Sequence, residues 1–319
     1  SEVVRAMVRN RGRLSYQQVQ AELDAGRAAE PLQLLREVGL ARQRLEAERG
    51  GVSLNLPDQE VVANGRDWRL EFRGLLPVEG WNAQVSLLTG SCAARLMLDA
   101  GVGVLRTLPP SRQYDVDRLR RIAKSLNLRW PGAMSYPEFV RSLDPGEPRG
   151  QAMLNACTLL FRGAAYTVID PGQPEQNAEH AALAASYTHT TAPLRRLVDR
   201  YTGALCVELC AGRPAPEWVL AGLAQLPELM AESDRRAKAF ERGIVNRVEA
   251  LVLHGHEGSD FAGTIIEVDD RGRDRGEASI PLVAVEAPVE GPGLRLGEER
   301  RLRLAEAVPQ TGRVLFNPA

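Results

Sequence analysis

Apolar residues return every three to four positions through much of the chain. Leu32, Leu35, Val38, Ala41 and Leu45 keep that spacing behind Pro31, and the pattern stops at Gly50-Gly51, which predicts a helix. A shorter helix is predicted over 14–26, with Gly26 as its stop. A long apolar helix is predicted over about 79–100, and further helices over 116–126, 136–143 and 151–161. Three more fall between Pro193 and Leu253, broken near Gly212 and Leu229. Strands are predicted at 2–9, 52–56, 102–106 and 163–168, and at 68–74, where period-two alternation puts Trp68, Leu70 and Phe72 on one face. The Pro/Gly/Gln-rich stretch 170–179 reads as a loop. From about His254 the texture changes to short β-like runs (261–268, 278–283, 299–304 and 312–316) between glycines and charges, as in a small β-barrel. The pattern predicts an α+β chain: a main domain over 1–253 and a barrel over 254–319. The first predicted strand has no turn or cap before it, so residues 1–9 are expected to continue something upstream.

Composition narrows the picture only a little. Lys and Arg number 40 against 41 Asp and Glu, so any basic surface must be local. Cys92, Cys157, Cys206 and Cys210 form no CxxC pair, which argues against a zinc site and suits a reducing, cytoplasmic setting. Cys206 and Cys210 lie one helical turn apart and read as core. His254 and His256 flank a glycine, and no HExxH occurs. No apolar run is long enough for a transmembrane helix, so no membrane partner is expected.

The most specific chemistry lies in Ser186-Tyr187-Thr188-His189-Thr190-Thr191-Ala192-Pro193-Leu194-Arg195-Arg196-Leu197-Val198-Asp199-Arg200. Proline suits the first position of a helix, because its φ is preset and its missing N–H has no partner there. The pattern therefore predicts a helix from Pro193 with Arg195 and Arg196 in its first turn. Free N–H groups and two guanidinium forks at a helix start would grip a phosphate. Basic residues there oppose the helix dipole, so the pair calls for a reason beyond helix stability.

The run resembles the Tyr-Thr-His-Phe-Thr-Ser-Pro-Ile-Arg-Arg signature of the ribonuclease II and ribonuclease R family, the RNB-domain exoribonucleases, with Thr190, Ala192 and Leu194 in place of Phe, Ser and Ile. The runs 81–90 and 101–109 look like a bacterial subgroup with shortened accessory domains. The resemblance implies an RNB catalytic domain, a mixed sheet surrounded by helices, followed by an S1/OB-like barrel. It implies processive 3′→5′ hydrolysis of single-stranded RNA with a divalent metal, Mg²⁺. It assigns Arg195 to the scissile phosphate and sets His189 and Arg196 on the substrate side. Leu14, Tyr16 and Val19 reproduce a Leu-x-Tyr-x-x-Val setting in which the tyrosine faces the last nucleotides. Glu79 matches a glutamate at a helix start that accepts from the ribose 2′-OH, with Ala83 as the alternative alignment. Glu241 stands at the matching distance from Arg195 on the helix before the barrel. Leu54 departs from the family by replacing a phenylalanine on which a base stacks. Stacking is worth ~1–3 kcal/mol per base, so weaker clamping of the 3′-terminal base is expected.

The metal ligands of the family, an aspartate followed closely by Asp-x-Asp-Asp, have no counterpart in a suitable setting. Asp269, Asp270 and Asp274 lie in the predicted barrel, and Asp115 and Asp117 read as helix caps. No metal ligand is therefore expected within this chain. It reads as the C-terminal part of an RNB protein, with its metal ligands upstream of Ser1 and an N-terminal fragment of the same protein as a candidate partner. Two readings stay open: an exoribonuclease to which this chain contributes the arginine side, and a non-catalytic RNA-binding protein that lacks the metal centre. A module with no RNA role leaves the arginine pair unexplained.

Overall fold

The structure is a computed structural model and describes residues 1–65, 67–172, 178–269 and 274–319. The chain divides into two compact units, one from residues 1–53, 76–111 and 161–234, the other from 54–75, 112–160 and 235–319. In chain order, α1 (Tyr16–Asp24) and α2 (Glu30–Glu48) belong to the first unit and the hairpin β1 (Asp58–Asn64) and β2 (Asp67–Arg73) to the second. Helix α3 (Pro77–Asp99) and β3 (Val104–Thr107) return to the first; α4 (Gln113–Ser125), α5 (Tyr136–Arg141) and α6 (Pro148–Cys157) belong to the second. The first unit then takes β4 (Ala165–Val168), β5 (Glu179–His180), β6 (Ala185–Ser186), α7 (Leu197–Cys210) and α8 (Glu217–Leu223). Helix α9 (Leu226–Leu253) carries the chain into the second unit, which ends with β7 (Asp260–Val268), β8 (Arg275–Ile280), β9 (Val285–Glu290), β10 (Glu299–Val308) and β11 (Arg313–Pro318).

In the first unit, α1 starts at a reciprocal cap: the Ser15 hydroxyl accepts from Gln18 N and the Gln18 side chain accepts from Ser15 N. Helix α2 lies on α3 where Gly39 meets Trp81; a Cβ at residue 39 would stand 2.3 Å from the Trp81 Cβ, so only glycine permits that approach. Glu46, buried on α2, accepts from the Gln84 side chain of α3 and from the Ser53 hydroxyl, so its burial is offset by hydrogen bonds. Met97, Val104, Leu105, Val198, Leu205 and Leu226 make the core beside these helices. Strand β3 pairs antiparallel with β4, and a parallel bridge joins Leu108 to His180 of β5, giving a small patch of mixed strand direction.

In the second unit, β7 to β11 close into a barrel in the order β10-β11-β9-β8-β7, with bulges between Leu304 and Glu306 and between Ile265 and Glu267. Ile265, Ile280, Val285, Val289, Leu302 and Phe316 fill it, and Ala250 and Leu253 at the end of α9 complete its core. Alternating burial along β9 (Val285, Ala287 and Val289 fully buried) marks a strand that sequence reading passes over, because Pro288 breaks the alternation. Among the described residues, the parallel pairing of the barrel is that of β9 with β11, through Val289 and Phe316.

Several expected elements shift. Residues 1–14 hold no regular element, and neither do 52–56; Val52 N donates to Ala182 O instead. The strand expected near 52 starts at Asp58, because the hairpin is centred on Gly65, whose φ of +68° sets the turn, and 58–64 pairs with 67–73 around it. The break expected near Leu229 falls between Leu223 and Leu226. In the expected loop over 170–179, residues 173–177 lie outside the described residues, and Glu179 begins β5. Asp270, one of the carboxylates weighed as a metal ligand, also lies outside them. None of the helices among the described residues is long and apolar enough to cross a membrane.

Candidate functional site

The motif segment is seated on α3 and β3 of the first unit. Thr188, fully buried, donates its hydroxyl to Val104 O at 2.8 Å, and its N–H reaches Gly90 O at 3.3 Å. Gly90 makes this crossing possible, since a Cβ there would lie 2.2 Å from the Tyr187 ring and 2.4 Å from Thr188 O. Arg106 N donates to Tyr187 O at 2.7 Å, and the Thr202 hydroxyl of α7 donates to His189 O at 2.8 Å. The backbone from Tyr187 to His189 is thus fixed from three sides.

The helix predicted from Pro193 begins later. Residues 193–195 form a turn in which Arg195 N and Arg196 N both donate to Ala192 O, and α7 starts at Leu197. Arg196 is the N-cap residue in extended geometry (φ −123°, ψ 124°). The cause is Asp199, buried at the third helical position. Its carboxylate takes two guanidinium bonds from Arg196, both 2.8 Å, and a third bond from Ala192 N at 2.7 Å. To reach back to Asp199, Arg196 has to leave the helical conformation. Burial opposes its charge, but the Asp199 bonds outweigh that and hold the Arg196 pKa above its ordinary value. Arg195 is exposed, and no described residue partners its guanidinium. The adjacent arginines therefore differ in kind, one locked and one uncommitted.

Around them stands an aromatic cluster. The Tyr166 hydroxyl and His189 Nδ1 are 2.6 Å apart, and Tyr187 meets the His189 ring edge-on at 5.4 Å between centroids. Burial, then Arg196 and Arg106, push the His189 pKa down to about 4, while burial pushes Tyr166 up to about 12. His189 is therefore neutral near pH 7 and Tyr166 protonated, and the tautomer of the ring sets which of the two donates across their 2.6 Å contact. His180, beside Tyr187, is likewise held below its ordinary value by burial and by Arg106.

Tyr16 and Glu79 come together at the other end of α3. The Tyr16 hydroxyl accepts from Asn82 Nδ2 at 3.0 Å, and Glu79 accepts from Leu76 N at 2.8 Å as part of the α3 N-terminal cap. Along α3 that corner is roughly 16 Å from Gly90, at 1.5 Å per residue. Ala83, the alternative to Glu79, lies one turn further along the same helix. Leu54, half-buried, and Glu241, exposed on α9, belong to the second unit. Sequence reading missed Asp199, Arg106 and Tyr166. The i,i+3 spacing from Arg196 to Asp199 was a usable signal; the register that sets Arg106 opposite Tyr166 was not visible before the strands were paired.

No group of three or more His, Cys, Asp or Glu side chains among the described residues is placed to hold a metal ion. The donor set among the described residues does not fit Mg²⁺, which asks for several carboxylate or carbonyl oxygens in octahedral array.

The RNB domain family model matches residues 1–209. The chain belongs to the RNB family. The model of the RNase II-type exonuclease C-terminal S1 domain matches residues 259–319, the barrel. Among solved structures, RNase R of Mycoplasma genitalium in complex with ribose-methylated single-stranded RNA is similar over 95% of this chain and 53% of its own, with a TM-score of 0.79 and 14% identity. The Dss1 exoribonuclease of Candida glabrata is similar over 97% of this chain and 38% of its own (TM-score 0.71, 14% identity). Yeast Ssd1, described as a pseudonuclease, is similar over 91% of this chain and 36% of its own (TM-score 0.64, 17% identity). A comparison with curated protein sequences returned no match. This RNB chain thus spans about half or less of the structures it resembles, and at these identities the likeness speaks for the exoribonuclease fold alone.

Proposed function

We propose that this RNB chain forms the arginine-bearing, nucleotide-binding part of an enzyme that hydrolyses single-stranded RNA from its 3′ end. The observation that carries the reading is the division of labour in the arginine pair. Asp199 anchors Arg196 and so fixes the turn that presents Arg195, whose guanidinium is exposed and uncommitted. A guanidinium held in that way steadies the negative charge that develops on a phosphoryl group. Within the first unit, Tyr16 and Glu79 shape the site of the terminal nucleotide. The barrel, of the S1 class, guides the strand. The divalent metal that the resemblance implies would need carboxylate ligands that the described residues do not supply.

The test follows 5′-labelled single-stranded RNA incubated with Mg²⁺ and the protein that contains this chain. A ladder shortening from the 3′ end is expected, and Arg195→Ala should slow it by ~10²–10³. Equal decay in that variant removes Arg195 from the mechanism. A second reading, a non-catalytic RNA binder, draws on the missing carboxylate group among the described residues and on the likeness to a pseudonuclease. RNA bound but never shortened, with Mg²⁺ present, would select it.

A further inference from the structure

Arg106 lies outside the motif and has no assigned role. It sits on β3 directly opposite Tyr166 of β4, so the two side chains leave the sheet on the same face. The guanidinium carbon stands 4.8 Å from the Tyr166 ring centroid. Its own backbone N–H is bonded to Tyr187 O, the start of the motif. Arg106 is therefore fixed at one end of the Tyr187–Arg196 segment, and Arg195 is presented at the other.

The charges around it do not balance. Arg106 and Arg196 act on the same three side chains, Tyr166, Tyr187 and His189. Asp199 is the one carboxylate that acts on those three, and its oxygens are taken by Arg196 and by Ala192 N. His189 and His180 face the cluster as neutral rings, and both tyrosines stay protonated. No described carboxylate pairs with Arg106, although Arg73, Arg95, Arg213 and Arg303 each have one. A half-buried cation without a counter-ion is costly unless one arrives. Packing on Tyr166 alone returns only about 0.5–2 kcal/mol.

The geometry points to Arg106 as a second phosphate-binding residue of the RNA site, holding a backbone phosphodiester other than the one at Arg195, with Tyr166 as the positioning residue that carries its guanidinium. The ligand is an anion that comes with hydrogen-bond acceptors and planar rings for the neighbouring tyrosine and histidine faces, as a nucleotide strand does. This inference rests on the proposed RNA-binding reading and adds a residue to it.

The test measures binding of single-stranded oligoadenylate to the protein containing this chain over a series of salt concentrations. Arg106→Gln should weaken binding roughly tenfold, as expected for loss of one hydrogen bond to a charged group. It should also lower the slope of log K against log[salt] by ~0.7, one phosphate's worth for a single strand. Arg106→Lys should keep the slope. Arg95→Gln, which breaks an exposed pair with Asp99 on α3, should change neither. A merely structural role would reduce the active fraction in Arg106→Gln and leave the slope of the remainder intact; that result overturns the inference while the RNA-binding reading stands. A wild-type protein with no affinity for the strand overturns both. Should Arg106→Gln fail to fold, wild-type protein is titrated with strands carrying one neutral methylphosphonate at a time. Two separate sensitive positions are expected, and a single sensitive position overturns the inference.

Discussion

Around the motif of the first unit, two guanidiniums, Arg106 and Arg196, face one buried carboxylate, Asp199. Beside the barrel of the second unit the balance is reversed. Glu277 on β8 acts on Glu249 at the end of α9 and on Glu286 on β9, Glu249 acts on Glu286, and Glu277 itself feels Glu267 and, with opposite sign, Arg242. Glu249 is tied by Gln59 at 2.7 Å and by Glu286 N at 3.0 Å, yet burial still pushes it up to about 6, and Glu286 up to about 7. The first region keeps its histidines neutral, whereas the second keeps its carboxyl groups protonated to higher pH. The lesson concerns where an anion belongs. Both clusters are polar and partly buried, but only the first has positive charge left over.

The largest effect should come from breaking the pair that anchors the first cluster. Asp199→Ala strips Arg196 of its partner and leaves Ala192 N without an acceptor, and breaking a buried ion pair from one side costs about 3–5 kcal/mol. Urea unfolding followed through α7 should register that loss. A loss below about 1 kcal/mol would mean that the turn is held by other contacts and that the Arg196–Asp199 pair does not position Arg195.

A pH series sharpens the contrast, because the two clusters should respond with opposite sign. His189 binds its proton less tightly in the fold (about 4) than in the unfolded chain (6.5), so its contribution is present above pH 6.5 and is lost as the pH falls toward 4. Glu249 and Glu286 bind theirs more tightly in the fold (about 6 and about 7) than unfolded (4.5), so their contribution is full below 4.5 and is lost as the pH rises through those values. Between about pH 7 and about pH 5 each group should shift local stability by about 1–2 kcal/mol, downward around β3 and β4 and upward around β8 and β9. Amide hydrogen exchange resolves the two regions separately. The same sign in both would break the comparison, and Glu249→Gln should flatten only the second.

The two clusters also differ in how far the sequence revealed them. The helices with regular apolar spacing were legible, and so was the barrel, because each depends on local periodicity. The arginine pair stood out in the sequence, but its helix was placed four residues early. Proline favours a helix start at 193; the Asp199 carboxylate, through bonds to Ala192 and Arg196, moves it to 197. Glu79 was read at the start of the long helix, and it also caps that helix by accepting from Leu76 N, which no spacing announced. Arg106 and Tyr166 stand 60 positions apart and meet only through strand register, and Gln59, Glu249 and Glu286 meet through barrel closure. Charge clusters made by long-range pairing leave no local signature.

The smallest expected effect tests whether Arg106 belongs to the first cluster electrically as well as by position. Burial is the leading cause of the low His189 pKa, Arg196 comes next and Arg106 after it. Removing Arg106 should therefore recover only part of the shift. In Arg106→Gln the His189 midpoint, followed by NMR of the imidazole protons, should rise by less than about one unit, or about 1 kcal/mol. No rise would place the guanidinium too far from His189 to share its field, and with it too far to share a bound strand. A return to the ordinary value would show that charge, rather than burial, had kept the ring neutral, so that the cluster would begin to titrate like an exposed histidine and its preference for an anion would strengthen as the pH falls.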